Sequence, residues 1–231
     1  MQQHSNHSIV LTTINASYIH SSLALRFLKA NLLDNSSCEC TIYEFNTKQR
    51  PIDIAETIIA ANPTIIGFGS YIWNIEHTTE VVEIVKRLSP TATIIMGGPQ
   101  VTADILQTPI KSWVDYFIVG EAEQEFALLC DGIINNQLNS NHDKEQLIVA
   151  SAVDLSKIKL PYYLYNEEDL ANRIIYIQSS RGCPFSCEFC LSAQDNSVRY
   201  FIIDSFLTEI DRLIAKGAKH FKFVDRSFNI R

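Results

Sequence analysis

The chain has 231 residues, 46% of them hydrophobic, and a formal net charge of −7. This length and apolar content suit one large or two modest domains with a real core and exclude a chain disordered throughout, and the acidic balance argues against a nucleic-acid backbone as the main partner. Residues 1–8 are polar without Lys or Arg, so they form no signal or transit peptide, and no apolar run reaches membrane-spanning length. Six cysteines without a secretory signal point to the cytoplasm, and to metal or redox use rather than disulfides.

From residue 9 to about 134 the pattern alternates strand and helix. Residues 9–13 form a short apolar strand. Residues 22–33 carry Leu23 and Phe27 four apart and Leu25, Leu28 and Leu32 three and four apart, which is one wide apolar helix face. Residues 40–45 alternate as a second strand, and 52–61 form a helix stopped by Asn62 and Pro63. A buried strand at 64–70 ends in glycines, a helix covers 78–88, and a strand at 91–96 runs into Gly97 and Gly98. A fifth strand at 116–119 is followed by Gly120 and a helix at 121–134. Strands alternating with helices imply a flavodoxin-like (Rossmann-like) five-stranded parallel sheet with helices on both faces, in the order 2-1-3-4-5.

A ligand of such a sheet lies across the carboxyl ends of the strands, here the loops at 15–21, 68–73, 97–102 and 120–123. Glycines follow three of these strand ends, where missing side chains let a large flat ligand approach the backbone. A turn alone accounts for Gly120, but less well for Gly67, Gly69 and the Gly97–Gly98 pair together. No G-x-G-x-x-G opens a helix and no P-loop is present, so a dinucleotide or nucleoside triphosphate is not favoured. His20 reads as a local cap or hydrogen-bonding group, Cys130 as a small core residue, and Glu121, Glu123 and Glu125 as carboxylates favouring a helix start. Cys38 and Cys40 lie at a strand entry, too close together to share a tetrahedral site.

The stretch 135–172 reads as a polar loop and an extended connector. Then comes one βαβ unit: a strand at 174–178, a cysteine loop to about 196, a helix at 203–216 and a strand at 220–225. Asp204 or Ser205 is the expected N-cap of that helix and Gly217 its C-cap. Such a unit does not bury a core of its own, so either it packs on the first domain or the sequence is a piece of something longer, the second being the expectation. The predicted division is 1–134, a linker at 135–172, and a second, incomplete domain at 173–231.

The loop carries Cys183, Cys187 and Cys190 in a C-x3-C-x2-C spacing, with Gly182 and Pro184 flanking the first. Structural zinc takes four protein ligands, usually as paired C-x2-C units. His142 or His220 would have to supply the fourth, and neither has supporting spacing. An iron–sulfur cluster on three cysteines leaves one iron for a substrate or cofactor.

This cysteine loop, with Phe189 before its last cysteine, resembles the signature of radical S-adenosylmethionine (SAM) enzymes. The resemblance implies that Cys183, Cys187 and Cys190 hold a [4Fe–4S] cluster whose fourth iron is chelated by SAM. Reductive cleavage of SAM would then yield a 5′-deoxyadenosyl radical, with an electron donor such as flavodoxin or ferredoxin as partner. Phe189 would pack near the adenine. Where the family often carries G-G-E after its second strand, residues 223–229 offer Asp225 as the carboxylate for the SAM ammonium, or as a cap of the following turn.

A flavodoxin-like domain directly before such a loop is similar to the cobalamin-binding radical SAM enzymes. Ser70, Tyr71 and Ile72 resemble their S-x-L turn, Gly97 and Gly98 their contact with the corrin's nucleotide tail, and Gly120 to Glu123 their G-E-x-E. This implies cobalamin held near Ser70, Gly97, Gly98 and Gly120. The family's D-x-H-x-x-G is absent, because around His20 its first and last positions are Tyr18 and Leu23. Either cobalamin binds without a protein histidine, or the domain has kept the fold and lost the vitamin. The expected activity is methyl transfer or a related radical reaction. The alternatives are a methylthiotransferase, whose first domain carries three cluster cysteines after strand ends where Cys38, Cys40 and Cys130 do not sit, and a non-catalytic corrinoid or small-ligand binding module.

Overall fold

The computed structural model describes residues 7–33, 38–138, 146–190 and 197–228. Expectations that fall on residues 1–6, on His142, on the end of the cysteine loop at 191–196 and on Asn229 lie outside them. The chain divides into two compact units, residues 1–18 with 24–153 and residues 19–23 with 154–231.

The first unit is built on a parallel sheet. Its strands are β1 (His7–Asn15), β2 (Cys38–Asn46), β3 (Ile65–Gly69), β4 (Thr93–Gly97), β5 (Tyr116–Val119) and β6 (Leu147–Val149). The helices between them are α1 (Leu23–Ala30), α2 (Pro51–Ala60), α3 (Ile75–Leu88) and α4 (Glu123–Ile134). The order is β2-β1-β3-β4-β5-β6, every pairing parallel. β1 is buried on both faces from Ile9 onward, as expected of an inner strand covered by helices on each side. Its alternate residues feed two cores. Val10 and Ile14 pack with Ile54 and Ile58 of α2 and Val81 and Val85 of α3, while Ile9 and Leu11 pack with Leu25 of α1 and Phe126, Leu129 and Cys130 of α4. Each fully buried Ile, Leu or Phe contributes about 1.5–3 kcal/mol.

The five-stranded expectation is corrected to six strands, the first five standing in the expected order. β6 spans three residues, too short to show an alternation, and follows a polar stretch. The backbone extends its ladder, since Phe117 N–H donates to the Gln146 carbonyl (2.6 Å) and Ala150 N–H to that of Val119 (2.8 Å). The Gln146 side-chain amide donates to the carbonyls of Lys111 (2.7 Å) and Val114 (2.6 Å), which anchors the entry. The span 135–172 is therefore not a plain connector: it holds β6, and from residue 154 it folds with the second unit.

In the second unit, β7 (Ile175–Ile177) pairs in parallel with β10 (Phe221–Phe223), and α6 (Ile203–Ala215) lies between them in sequence. β8 (Ser180–Arg181) and β9 (Arg199–Tyr200) pair antiparallel. α5 (Glu167–Asn172) opens on a capping box, in which Asn166 accepts from Asp169 N–H (2.8 Å) and Asp169 from Asn166 N–H (3.3 Å). Two tyrosines ahead of it brace β7. The Tyr162 hydroxyl donates to the Gln178 carbonyl (3.1 Å) and accepts from Gln178 N–H (3.0 Å), and the Tyr165 hydroxyl donates to the Tyr176 carbonyl (2.9 Å). α6 starts after Ile202 without a side-chain cap, so Asp204 and Ser205 fall inside its first turn instead of capping it. Its end is as expected: Gly217 takes φ +98°, and Ala218 N–H and Gly217 N–H bond the carbonyls of Leu213 and Ile214.

Candidate functional site

Two groups of residues carry the predicted chemistry, one in each unit. At the carboxyl edge of the first sheet, Ser70 follows β3 and is fully buried. Its N–H donates to the Gly97 carbonyl (2.8 Å), which ties the ends of β3 and β4 together. Its hydroxyl is buried with no hydrogen-bond partner, an arrangement that costs about 1–3 kcal/mol unless a ligand satisfies it.

The glycines divide by what surrounds them. Gly98 has φ +110°, and a Cβ there would stand 2.4 Å from the Ser70 carbonyl oxygen. Gly120 has φ +97°, and a Cβ there would stand 2.7 Å from the Ala150 carbonyl oxygen. The chain's own backbone requires both. A Cβ on Gly97 would meet only the Ile118 carbonyl oxygen, at an ordinary 3.5 Å, so of the residues expected to face a flat ligand, Gly97 is the glycine that leaves open space.

The loop after β3 adds a feature that sequence reading passed over. Tyr71 and Trp73 stack with ring centroids 4.6 Å apart and planes 9° from parallel, and Trp73 is half exposed. Asn74, itself buried, fixes this loop. Its amide donates to the Ile14 carbonyl (3.0 Å), the Gly69 carbonyl (3.2 Å) and the Thr13 hydroxyl (3.3 Å), and its side-chain oxygen accepts from Tyr71 N–H (2.7 Å). Turn closure by Ile75 N–H on the Tyr71 carbonyl (3.0 Å) starts α3 at Ile75, three residues ahead of the expected 78. The short polar residue four after Ser70 was the available signal. Glu121 accepts from Val153 N–H (2.8 Å), and Glu123 is buried at the start of α4.

His20 belongs to the second unit, where its Nδ1 lies 2.8 Å from the Tyr176 hydroxyl. That partner comes from β7. Cys130 is a core residue, as expected, and Cys38 and Cys40 pack against the same cluster. Burial pushes the Cys40 thiol up to about 12 and raises those of Cys130 and Cys38, so all three stay protonated at neutral pH.

In the second unit, β8 and β9 clasp the ends of the cysteine loop, and Gly182 turns it at φ +88°. Phe201 N–H donates to the Ser179 carbonyl (3.0 Å) and lengthens the clasp. Cys183 is half-buried; Cys187 and Cys190 are exposed, and none of the three is in a disulfide. Cys190 N–H donates to the Cys187 carbonyl (3.0 Å). Phe189 is 94% exposed. The Asp225 carboxylate accepts from Ser179 N–H (3.1 Å), the Ser179 hydroxyl (2.7 Å) and the Ser180 hydroxyl (2.6 Å). It neither projects free nor caps its own turn; it binds the base of the cysteine loop. Ser227 Oγ lies 3.1 Å from Cys183 Sγ.

Among the described residues, no three His, Cys, Asp or Glu side chains group closely enough to hold a metal ion. The fit of the loop to an iron–sulfur cluster therefore rests on its donor set, three soft sulfur ligands outside any disulfide on one clasped loop. The fit of the first unit to cobalamin rests on the orphaned Ser70 hydroxyl and the open face of Gly97. No helix among the described residues is long and apolar enough to cross a membrane.

Comparison with known proteins gives the following. The B12 binding domain family matches residues 9–129. An uncharacterized methyltransferase of Pyrococcus horikoshii is 26% identical over 196 residues, covering 77% of this chain and 43% of that protein. The cobalamin-dependent radical SAM methyltransferase TokK of Streptomyces tokunonensis is 23% identical over 203 residues, covering 77% of this chain and 29% of TokK. Among solved structures, the radical SAM methyltransferase TsrM of Kitasatospora setae superimposes with a TM-score of 0.71 at 16% identity, over 97% of this chain and 48% of TsrM. The chain thus spans less than half the length of each of these relatives. The parallel sheet, its strand order and a match over more than half of the sequence agree, and the chain belongs to the B12-binding domain family.

Proposed function

We propose that the chain is the cofactor-holding part of a cobalamin-dependent radical SAM methyltransferase. The carboxyl edge of the first unit holds cobalamin and the cysteine loop holds a [4Fe–4S] cluster and SAM. The observation that carries this reading is the occurrence, on one chain, of a B12-binding domain and a clasped loop of three cysteines outside any disulfide at the carboxyl end of β7. Bound together, these groups supply a methyl carrier and a one-electron source for hydrogen abstraction.

The chain's own residues have definite parts. Ser70 offers its unpaired hydroxyl to the corrinoid's polar periphery, and Gly97 lets a flat ring approach the strand ends. The Tyr71–Trp73 stack gives an apolar wall beside that edge, held by Asn74. Cys183, Cys187 and Cys190 supply the thiolates, and Phe189, almost wholly exposed, covers the adenine. Asp225 holds the loop's base through Ser179 and Ser180, and its carboxylate keeps acceptor capacity for the SAM ammonium.

Hydroxocobalamin titrated into the purified chain tests the first half. Binding shifts the corrin absorbance and quenches Trp73 fluorescence; no spectral change and no retention on a cobalamin resin refute it. Anaerobic reconstitution tests the second half. Uptake of about four irons per chain with cysteine-ligated cluster absorbance is expected, and a chain that takes up no iron refutes it.

A further inference from the structure

The segment after β10 reaches back to the cysteine loop at two points. Asp225 accepts from three donors on Ser179 and Ser180, where the loop leaves β7. Two residues on, half-buried Ser227 places its Oγ 3.1 Å from Cys183 Sγ. Either atom can donate while Cys183 is a thiol. A metal-bound thiolate has no proton, so the bond then runs one way, from the Ser227 hydroxyl to the sulfur.

On the reading that the loop carries an iron–sulfur cluster, we propose that Ser227 is a positioning residue that raises the cluster's reduction potential by donating to Cys183 Sγ, while Asp225 anchors the same loop for loading. One-electron reduction adds negative charge that spreads onto the cysteine sulfurs. A donor fixed at one of them stabilises the reduced form more than the oxidised form. The electron comes from outside the chain, and no bond of the protein is made or broken. Ser227 acts on the sulfur itself. Asp225 acts at the backbone and hydroxyls of the loop's base, where it decides whether the thiols are presented together.

The full chain and its variants are reconstituted anaerobically with ferrous iron and sulfide. They are then titrated with dithionite against redox mediators, with the paramagnetic resonance of the reduced cluster as readout. Ser227→Ala loads iron as the wild type does, and its midpoint falls. At the wild-type midpoint the ratio of reduced to oxidised cluster drops about tenfold, equivalent to ~59 mV for one electron. Ser227→Thr restores the hydroxyl and the midpoint. Asp225→Asn lowers iron per chain but leaves the midpoint of the loaded fraction unchanged. An unchanged midpoint in Ser227→Ala, or no recovery in Ser227→Thr, overturns the proposal while the cluster reading stands. A wild-type chain that takes up no iron overturns the cluster reading and the proposal together.

Discussion

Alanine at Gly97 and at Gly98 separates folding from ligand binding at adjacent positions. At Gly98 the backbone takes φ +110°, which costs an L-residue about 1–2 kcal/mol. The new methyl would also stand 2.4 Å from the Ser70 carbonyl oxygen and 2.9 Å from its nitrogen, distances no real Cβ tolerates. Both are backbone atoms on a strand end, so the loops after β3 and β4 must move apart and strain the Ser70 N–H bond to Gly97. The sum is about 3 kcal/mol, which lowers the melting temperature by about 6–12 °C for a unit of this size. At Gly97 the new methyl has one neighbour within 4 Å, the Ile118 carbonyl oxygen at 3.5 Å. Gly97→Ala therefore melts close to wild type, but its methyl occupies the face a corrin ring would approach, and hydroxocobalamin binding weakens by about tenfold or more. Circular dichroism melts and corrin absorbance titrations of the two variants are the assay. Wild-type stability in Gly98→Ala refutes the packing argument, and wild-type cobalamin binding in a folded Gly97→Ala refutes the placement of the ligand.

Other outcomes follow from the same geometry. Arg26 Nη1 and Glu44 Oε2 form a 2.9 Å ion pair with both side chains almost wholly buried. Arg26→Met removes the buried carboxylate's charge partner, leaving it the Asn15 amide (3.4 Å), and costs about 3–5 kcal/mol in urea denaturation, and adding Glu44→Leu recovers part of that loss. The folded Cys40 thiol is pushed up to about 12 from a usual 9.0, so the stability it confers is complete below pH 9 and is lost as pH rises toward 12. Melting temperatures therefore fall from pH 9 upward, and Cys40→Ser makes that fall shallower; an unchanged slope refutes the assignment. Tyr162→Phe removes a hydroxyl that both donates to and accepts from the backbone of Gln178. The expected cost is about 1–3 kcal/mol, with faster amide exchange at Gln178 and Ser179; unchanged exchange there means the phenol does not brace the strand.

Much of the fold can be read along the chain, because runs such as 9–14 and 64–69 are apolar on both faces and only an inner parallel strand buries both. Gly217 announces the end of α6 for an equally local reason, as the αL position after a helix favours glycine. β6 does not announce itself. Three residues cannot display a period, and what makes them a strand is the free edge of β5. The site divides in the same way. The three cysteines are visible by spacing alone, whereas Asp225 and Ser227 acquire their roles only when β10 lies beside β7. At Gly98 and Gly120 the sequence shows a missing side chain but not the backbone that stands where a Cβ would. Asn74 was passed over for a related reason: its partners Thr13 and Ile14 are some sixty residues away.

The grip of Asp225 and Ser227 on the cysteine loop has a consequence for the order of events during synthesis. Ser227 emerges 44 residues after Cys183, and Asp225 emerges 46 residues after Ser179. At translation rates of about 5–20 residues per second, the thiols wait roughly 2–9 s before the groups that hold their loop exist. During that interval Cys183, Cys187 and Cys190 sit on a nascent segment open to oxygen and to stray metal ions. On the proposed reading that the loop carries a cluster, insertion into the finished loop is a late step, timed by the arrival of β10 and the residues just beyond it.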